Sequence, residues 1–470
     1  MRHQQIYVDG KWVDSSATDV IEVVNPATEE AIAEIARGTE EDVDTAARAA
    51  SAAFGDWSRT GVDERASVIR ALADVIERNA DEVTASVVAE IGQPVSWARR
   101  ASTEMAIRDL RNFADALPRV LWEEEIGHAR VRSVPSGVVG AITAWNGPIR
   151  SVCLKAGAAI AAGCTVVLKP SEVAPLTPFL LAGYTEEAGL PPGVLNIVTG
   201  TGPEVGEAIV THPAVDMVSL TGSVRAGSRV MELASRSIKR VALELGGKSA
   251  NVILEDADLP RAIAGGIEDA FRNSGQACGA LTRILVPRDR IGEAERLAAQ
   301  RAESFVLGDP TDPSTQLGPL ANRDQYDRVR GHIERAIDQG VKLVTGGLDR
   351  PEGCDRGFYV RPTVFSGTNE DRIAREEVFG PVVVLIPFDD EDDAVRIAND
   401  SDYGLAGGVW AAQNERARAV AARIRAGRIR INGTPIDMRA PHGGFKLSGI
   451  GREMGRHGIE DYLEPQAIHG

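Results

Sequence analysis

Cysteine is scarce: four residues in 470, at 153, 164, 278 and 354, with no C-x-x-C pair. That spacing excludes a disulfide scaffold and a zinc ribbon, and fits a reducing compartment. Seven histidines are scattered with no H-x-x-x-H pair, so no metal site is signalled. Basic residues are outnumbered, 52 against 68 acidic ones, for a formal net charge of −16. Such a surface repels phosphate backbones and excludes nucleic acid as a partner. Long apolar runs are missing too. AGAAIAAGCTVVL (156–168), flanked by Lys155 and Lys169, is too short to span a bilayer, so no membrane partner is expected. The N-terminal MRHQQIYVDGKWVD lacks the apolar core of a signal peptide. A cytoplasmic location is the expectation.

What is present is ordinary globular material, 43% hydrophobic and 26% charged, in a chain long enough for two or three packed units. QQIYVDGKWVD alternates around Asp9-Gly10, a hairpin signal. Thr39 caps a helix that runs to about Ala53, and a long helical region continues through Arg111. Residues 119–137 read as two strands whose edges call for a partner, plausibly another subunit. From Gly137 the rhythm becomes strand, turn, helix, ending in IKRVALELGG. This alternation predicts a parallel sheet covered on both faces, a nucleotide-binding type of α/β fold. Residues 248–432 repeat the alternation as a second α/β unit.

Chemistry is suggested at several points. Cys278, in FRNSGQACGALTR, has only Ala277, Gly279 and Ala280 around it, which leaves the sulfur uncovered. Glu244, in VALELGG, sits among apolar residues, where desolvation raises a carboxyl pKa towards that of a general base. Asn146, in AWNGP, follows a buried strand and stands at the sheet rim as a donor or as a plain turn residue. LKPSE puts Lys169 and Glu172 beyond another strand end, either within reach of ribose hydroxyls or in a plain surface loop. In SLTGSVRAG, Gly222-Ser223 opens a helix whose N-terminus suits a pyrophosphate or is a plain capping turn. GTGPEVG (200–206) departs from the dinucleotide fingerprint and reads better as a glycine turn.

AWNGP, LKPSE, LTGS, LELGGKS, GQAC, EEVFGPV and GGFKLSGIGRE occur in this order over nearly the whole chain. The set resembles the aldehyde dehydrogenase superfamily, as does the 34-residue separation of Glu244 and Cys278. The resemblance implies a hydrolytic, non-acylating, NAD(P)-dependent enzyme that takes a small-molecule aldehyde. Cys278 matches the nucleophile, Glu244 the general base and Asn146 the oxyanion-hole donor. Lys169 and Glu172 match the adenosine-ribose grip, and Gly222 with Ser223 the pyrophosphate turn. Glu377 matches the nicotinamide-ribose ligand and Phe379 the side chain beside the nicotinamide, with Trp145 and Leu245 also at the cofactor. A carboxylate at 172 disfavours a 2′-phosphate, so NAD is expected over NADP.

The architecture implied is a Rossmann-like cofactor domain (1–118 and 136–246), a catalytic domain (247–447) and oligomerisation strands (119–135 and 461–470). A homodimer or homotetramer follows. Gly147, where relatives often carry a large aromatic, and Gly279 suggest a wide tunnel and a bulky or aromatic aldehyde. Arg150 and Arg439 either line that tunnel and favour an anionic substrate or lie at the surface, the latter being the expectation, and Cys153 is read as core. The rivals are a CoA-acylating semialdehyde dehydrogenase, which typically lacks the base that Glu244 supplies, and a thioesterase, which leaves the cofactor motifs idle.

Overall fold

The computed structural model describes residues 2–470. Strands Val138–Ile142, Thr165–Lys169, Leu195–Ile197, Met217–Thr221 and Arg240–Glu244 form a parallel sheet, as the alternation predicts. Chain order reverses between Val138–Ile142 and Met217–Thr221, which lie side by side. That switch point opens a crevice at the carboxyl ends of the strands. The Asp9-Gly10 hairpin, Gln5–Val8 with Lys11–Asp14, extends one edge of the sheet. Gly449–Ile450 returns from the far end of the chain and extends the other edge, against Leu243 and Glu244. Buried apolar clusters cover both faces.

A second sheet runs Lys342–Thr345, Thr363–Ser366, Val382–Phe388, Arg283–Pro287, Ala250–Ile253, Ala406–Trp410, Arg428–Ile431. Only its first pair is antiparallel. Two further clusters bury its faces. The chain thus carries two α/β layers rather than one enlarged core.

Glu123–Ile126 and Ala129–Pro135 form the expected ribbon, and Leu463–His469 pairs with the latter to make a three-stranded sheet. The helical region differs in detail from its sequence reading. It breaks at Asn79 and again at Gly92, whose φ of 67° ends Ala80–Ile91 as a left-handed cap, and it then continues to Ala116. Within GTGPEVG, Gly202–Gly206 is a π-helical turn that leads straight into the helix Glu207–Thr211; Thr201 caps it by accepting from the Glu204 N–H, and Glu204 is paired to Arg37 at 2.7 Å. No helix among the described residues is long and apolar enough to cross a membrane.

Candidate active site

Cys278 follows the helix Leu259–Phe271 through an unusual turn. Asn273, Ser274 and Gly275 all have positive φ, at 52°, 54° and 74°. Two non-glycine residues in this region cost conformational energy, and surrounding contacts must hold them there. Asn273 donates its amide to the carbonyls of Asn146 (3.2 Å) and Gln276 (3.1 Å). Ser274 donates to the Gly318 carbonyl at 2.7 Å, and the Gln276 side chain accepts from the Ala321 N–H at 2.9 Å. At Gly275 a Cβ would collide with the Gly380 backbone, so only glycine fits. This clamp presents the Cys278 thiol, partly exposed, to a cavity of about 940 Å³. The other three cysteines are buried and face no such space.

Asn146 and Glu244 line the same cavity, each just past or at the end of a strand of the first sheet. The Asn146 amide lies against the Cys278 loop and donates to the Gln276 carbonyl at 3.2 Å. The Cys278 backbone N–H makes no backbone hydrogen bond among the described residues. Glu244 is buried, and neither of its carboxyl oxygens has a hydrogen-bond partner. Burial holds its pKa well above the usual carboxylate range, and the nearby Glu453 pushes it further. Burial also raises the Cys278 thiol, with Glu244 and Glu377 adding to the effect; Arg428 and Arg272 pull it back.

Several neighbours escaped sequence reasoning. Lys155, fully buried, pairs with Glu453 at 2.8 Å and donates to Ser219 at 3.1 Å. Its charge offsets part of the cost of ionising Glu244. His442 Nε2 lies 3.6 Å from Glu244, and burial drives the imidazole pKa well below its ordinary value, so the ring is neutral. Arg428 and Arg430 line the cavity from the strand Arg428–Ile431. Their signal was the alternation in GRIRI, which puts both side chains on one face of a strand.

Arg150 is not a surface residue. It lines the cavity and its Nε donates to buried Asp109 at 2.8 Å, because the short helix Pro148–Val152 turns that side chain inward. Arg439 is exposed and pairs with Asp437. Gly147 does face open space, whereas at Gly279 a Cβ would lie 2.9 Å from an Arg428 Nη. The width expected from the second glycine is taken up by a guanidinium.

The presumed cofactor residues gather at the switch-point crevice. Lys169 is buried at its strand end, with Nζ donating to the carbonyls of Pro170 (2.9 Å) and Gly200 (2.8 Å) and to Glu172 (3.1 Å). The Glu172 side chain is 40% exposed, so its carboxylate is open to a ligand diol. Ser223 caps Val224–Ser235 by accepting from the Ala226 N–H at 3.2 Å, and Gly222 bonds to the Glu244 carbonyl at 3.0 Å. Leu245 packs where a side chain on Gly227 would clash, which draws the helix close to the strand end. On the facing wall, Glu377 accepts from the Gly247 N–H at 2.9 Å, in space that a side chain on Gly246 would fill. Phe379 meets Trp145 edge to face, centroids 5.4 Å apart. A helix N-terminus, a carboxylate at the rim and an aromatic wall suit the pyrophosphate, ribose and ring of a dinucleotide. No metal-binding cluster occurs among the described residues.

Comparison with known proteins agrees with this geometry. The profile of the aldehyde dehydrogenase family matches residues 12–468. A 3-succinoylsemialdehyde-pyridine dehydrogenase of a Pseudomonas species is 45% identical over 470 residues, spanning 100% of this chain and 98% of its own. Aldehyde dehydrogenase C of Pseudomonas syringae, a variant complexed with NAD+ and octanal, superposes with a TM-score of 0.98 at 48% identity, covering 99% of this chain and 96% of that one. A Mycobacterium tuberculosis aldehyde dehydrogenase complexed with NAD+ gives 0.97 at 42% identity, covering 100% and 98%. The chain belongs to the aldehyde dehydrogenase family.

Proposed function

We propose that the chain oxidises an aldehyde to its carboxylic acid by covalent catalysis on Cys278, with NAD as the cofactor. The carrying observation is that the Cys278 thiol, the unpartnered Glu244 carboxylate and the Asn146 amide share one cavity. The thiolate attacks the aldehyde carbon, forming a C–S bond and an alkoxide. Asn146 and the Cys278 N–H donate to that oxygen; one such donor is worth about 100- to 1000-fold in rate. A nicotinamide held at the switch-point crevice would supply the hydride acceptor, and the tetrahedral carbon on Cys278 would then collapse to a thioester. Glu244, with its raised pKa, takes a proton from water. The resulting hydroxide attacks the thioester carbon, the C–S bond breaks and the thiolate is regenerated with release of the acid. A base at 244 favours water over CoA as acyl acceptor.

Lys169, Glu172, Gly222 and Ser223 would hold the adenosine and pyrophosphate side of the cofactor, and Glu377, Phe379, Trp145 and Leu245 the nicotinamide side. The open space at Gly147 supports a substrate larger than acetaldehyde, such as the octanal bound by the Pseudomonas syringae relative. The two large sheets support the division into cofactor and catalytic domains, and the edges of the third support self-association. A cytoplasmic site of action fits the free cysteines.

The test follows NADH formation with NAD and aldehydes graded from acetaldehyde to aromatic ones. Turnover in the parent, lost in Cys278→Ala, is the expected result. NADH formation that persists in Cys278→Ala, or none from any aldehyde in the parent, defeats the proposal.

A further inference from the structure

We propose that the substrate is an aldehyde that also carries a carboxylate, and that Arg428 is the residue that reads this second group. The proposal rests on the dehydrogenase reading above and narrows its substrate class. Arg428 and Arg430 alternate onto one face of an edge strand, and both line the cavity. Gly279, next to the nucleophile, marks where the charge gathers. A Cβ there would lie 2.9 Å from an Nη of Arg428 and 3.5 Å from an Nη of Arg272. Two guanidinium groups thus reach the same spot beside Cys278, and a side chain there would push the Arg428 tip aside.

Their charge is not compensated locally. Asp269 is the carboxylate among them, and it is fully engaged. Arg272 and Arg430 both pair with its Oδ1, and the Leu281 N–H donates to its Oδ2 at 2.9 Å. Of the other acids on the cavity wall, Glu268 pairs with Arg301, Glu453 with Lys155, and Glu244 faces His442 rather than an arginine. The Arg428 backbone belongs to its strand ladder, but its guanidinium makes no hydrogen bond or ion pair among the described residues. Arg150 adds a buried Nη2 without a partner. In a protein of net charge −16, two guanidinium groups share the one Asp269 carboxylate here and the third, that of Arg428, has none. Burial lowers the Arg428 pKa to about 10, which leaves it charged at neutral pH.

An uncompensated, largely desolvated cation is costly, and a ligand carboxylate removes that cost. A guanidinium offers two parallel N–H donors matched to the two oxygens. The apolar wall of the cavity, from Trp97 to Met438, accepts the chain between the two ends of such a substrate. A role limited to steadying the Cys278 thiolate would give Arg428 equal value for every aldehyde. The charge of the substrate therefore separates the two roles.

The experiment compares succinic semialdehyde with uncharged butanal in the full-length enzyme with NAD. The parent is expected to favour succinic semialdehyde at least tenfold in kcat/KM. Arg428→Gln should lower that value by about 30- to 100-fold, mostly through KM, the worth of a hydrogen bond to a charged group. Butanal should lose much less, so the preference collapses. Arg428→Lys, which keeps the charge but not the fork, should fall between the two.

Equal kcat/KM for both substrates in the parent, or equal losses in the variants, would overturn the proposal. Butanal turnover by each variant also reports that it has folded. If the parent oxidises neither substrate, the dehydrogenase reading fails, and the anion site is then judged by labelling. Succinate slowing iodoacetamide attack on Cys278 in the parent but not in Arg428→Gln sustains the site. Absence of that protection overturns it.

Discussion

Glu244 shows how a single residue sets function against stability. Its carboxyl is buried without a hydrogen bond, and its pKa lies above the unfolded value. The folded state therefore holds a proton that the unfolded state releases first. Its contribution is most favourable below the unfolded pKa and worsens as pH rises towards the folded one. Above the unfolded pKa the raised value is a burden whether the group ionises or keeps its proton, and Glu244→Gln should raise Tm by roughly 1–3 °C. The same variant should form one equivalent of NADH in a burst and then turn over slowly, by about 100- to 10,000-fold, for want of a base. Calorimetry and rapid-mixing kinetics check the pair of effects. A variant that melts lower and turns over at the parent rate would show that Glu244 is structural. Cys278 and Glu244 were legible because each is chemically out of place among its chain neighbours. Lys155, Glu453, His442 and Arg428 were not, since their meaning depends on pairings made only by folding. Lys155 and Glu453 stand 298 positions apart.

At the scale of elements, the strands and their following loops were readable, because β-branched runs ending in Gly, Pro or Ser mark both. The switch-point crevice follows from their order. What no periodicity shows is the turn at 273–275, three successive residues of positive φ that aim the nucleophile. Its sequence, NSG, is ordinary turn composition; the constraint lies in the Gly380 backbone opposite. Gly275→Ala would add both a φ strain and a backbone collision, a loss on the order of 1–3 kcal/mol or more. The expected result is a lower Tm and a Cys278 thiol that reacts at a changed rate with a thiol reagent, with activity lost even though Cys278 and Glu244 are both present. Parent-like melting, thiol reactivity and turnover would mean that the clamp does not aim the sulfur. Gly279 has a different logic, since there the missing side chain makes space for Arg428.

Across the whole molecule, Glu123–Ile126, Ala129–Pro135 and Leu463–His469 pair into a three-stranded sheet apart from the two large ones. The return of Gly449–Ile450 to the first sheet was not anticipated, because a two-residue strand carries no pattern of its own. It seals the edge beside Glu244, where Leu243 and Glu244 pair with Ile450 and Gly449. The three-stranded sheet, by contrast, keeps two open edges, Glu123–Ile126 and Leu463–His469. Leu121, Ile126 and Ile468 are 56%, 58% and 46% exposed on or beside it. Open edges with apolar side chains suit pairing with a second copy. Replacing Ile126 and Ile468 together by lysine adds repelling charge without touching the cavity. In light scattering after size exclusion, the parent should then run as a dimer or larger, and the double variant near the monomer mass of 50.0 kDa. Butanal oxidation by that monomer, measured in the same fractions, tells whether one chain holds a complete site. Every residue of the proposed site comes from one chain, so activity should survive dissociation. An unchanged oligomer mass would instead place the contact on another face.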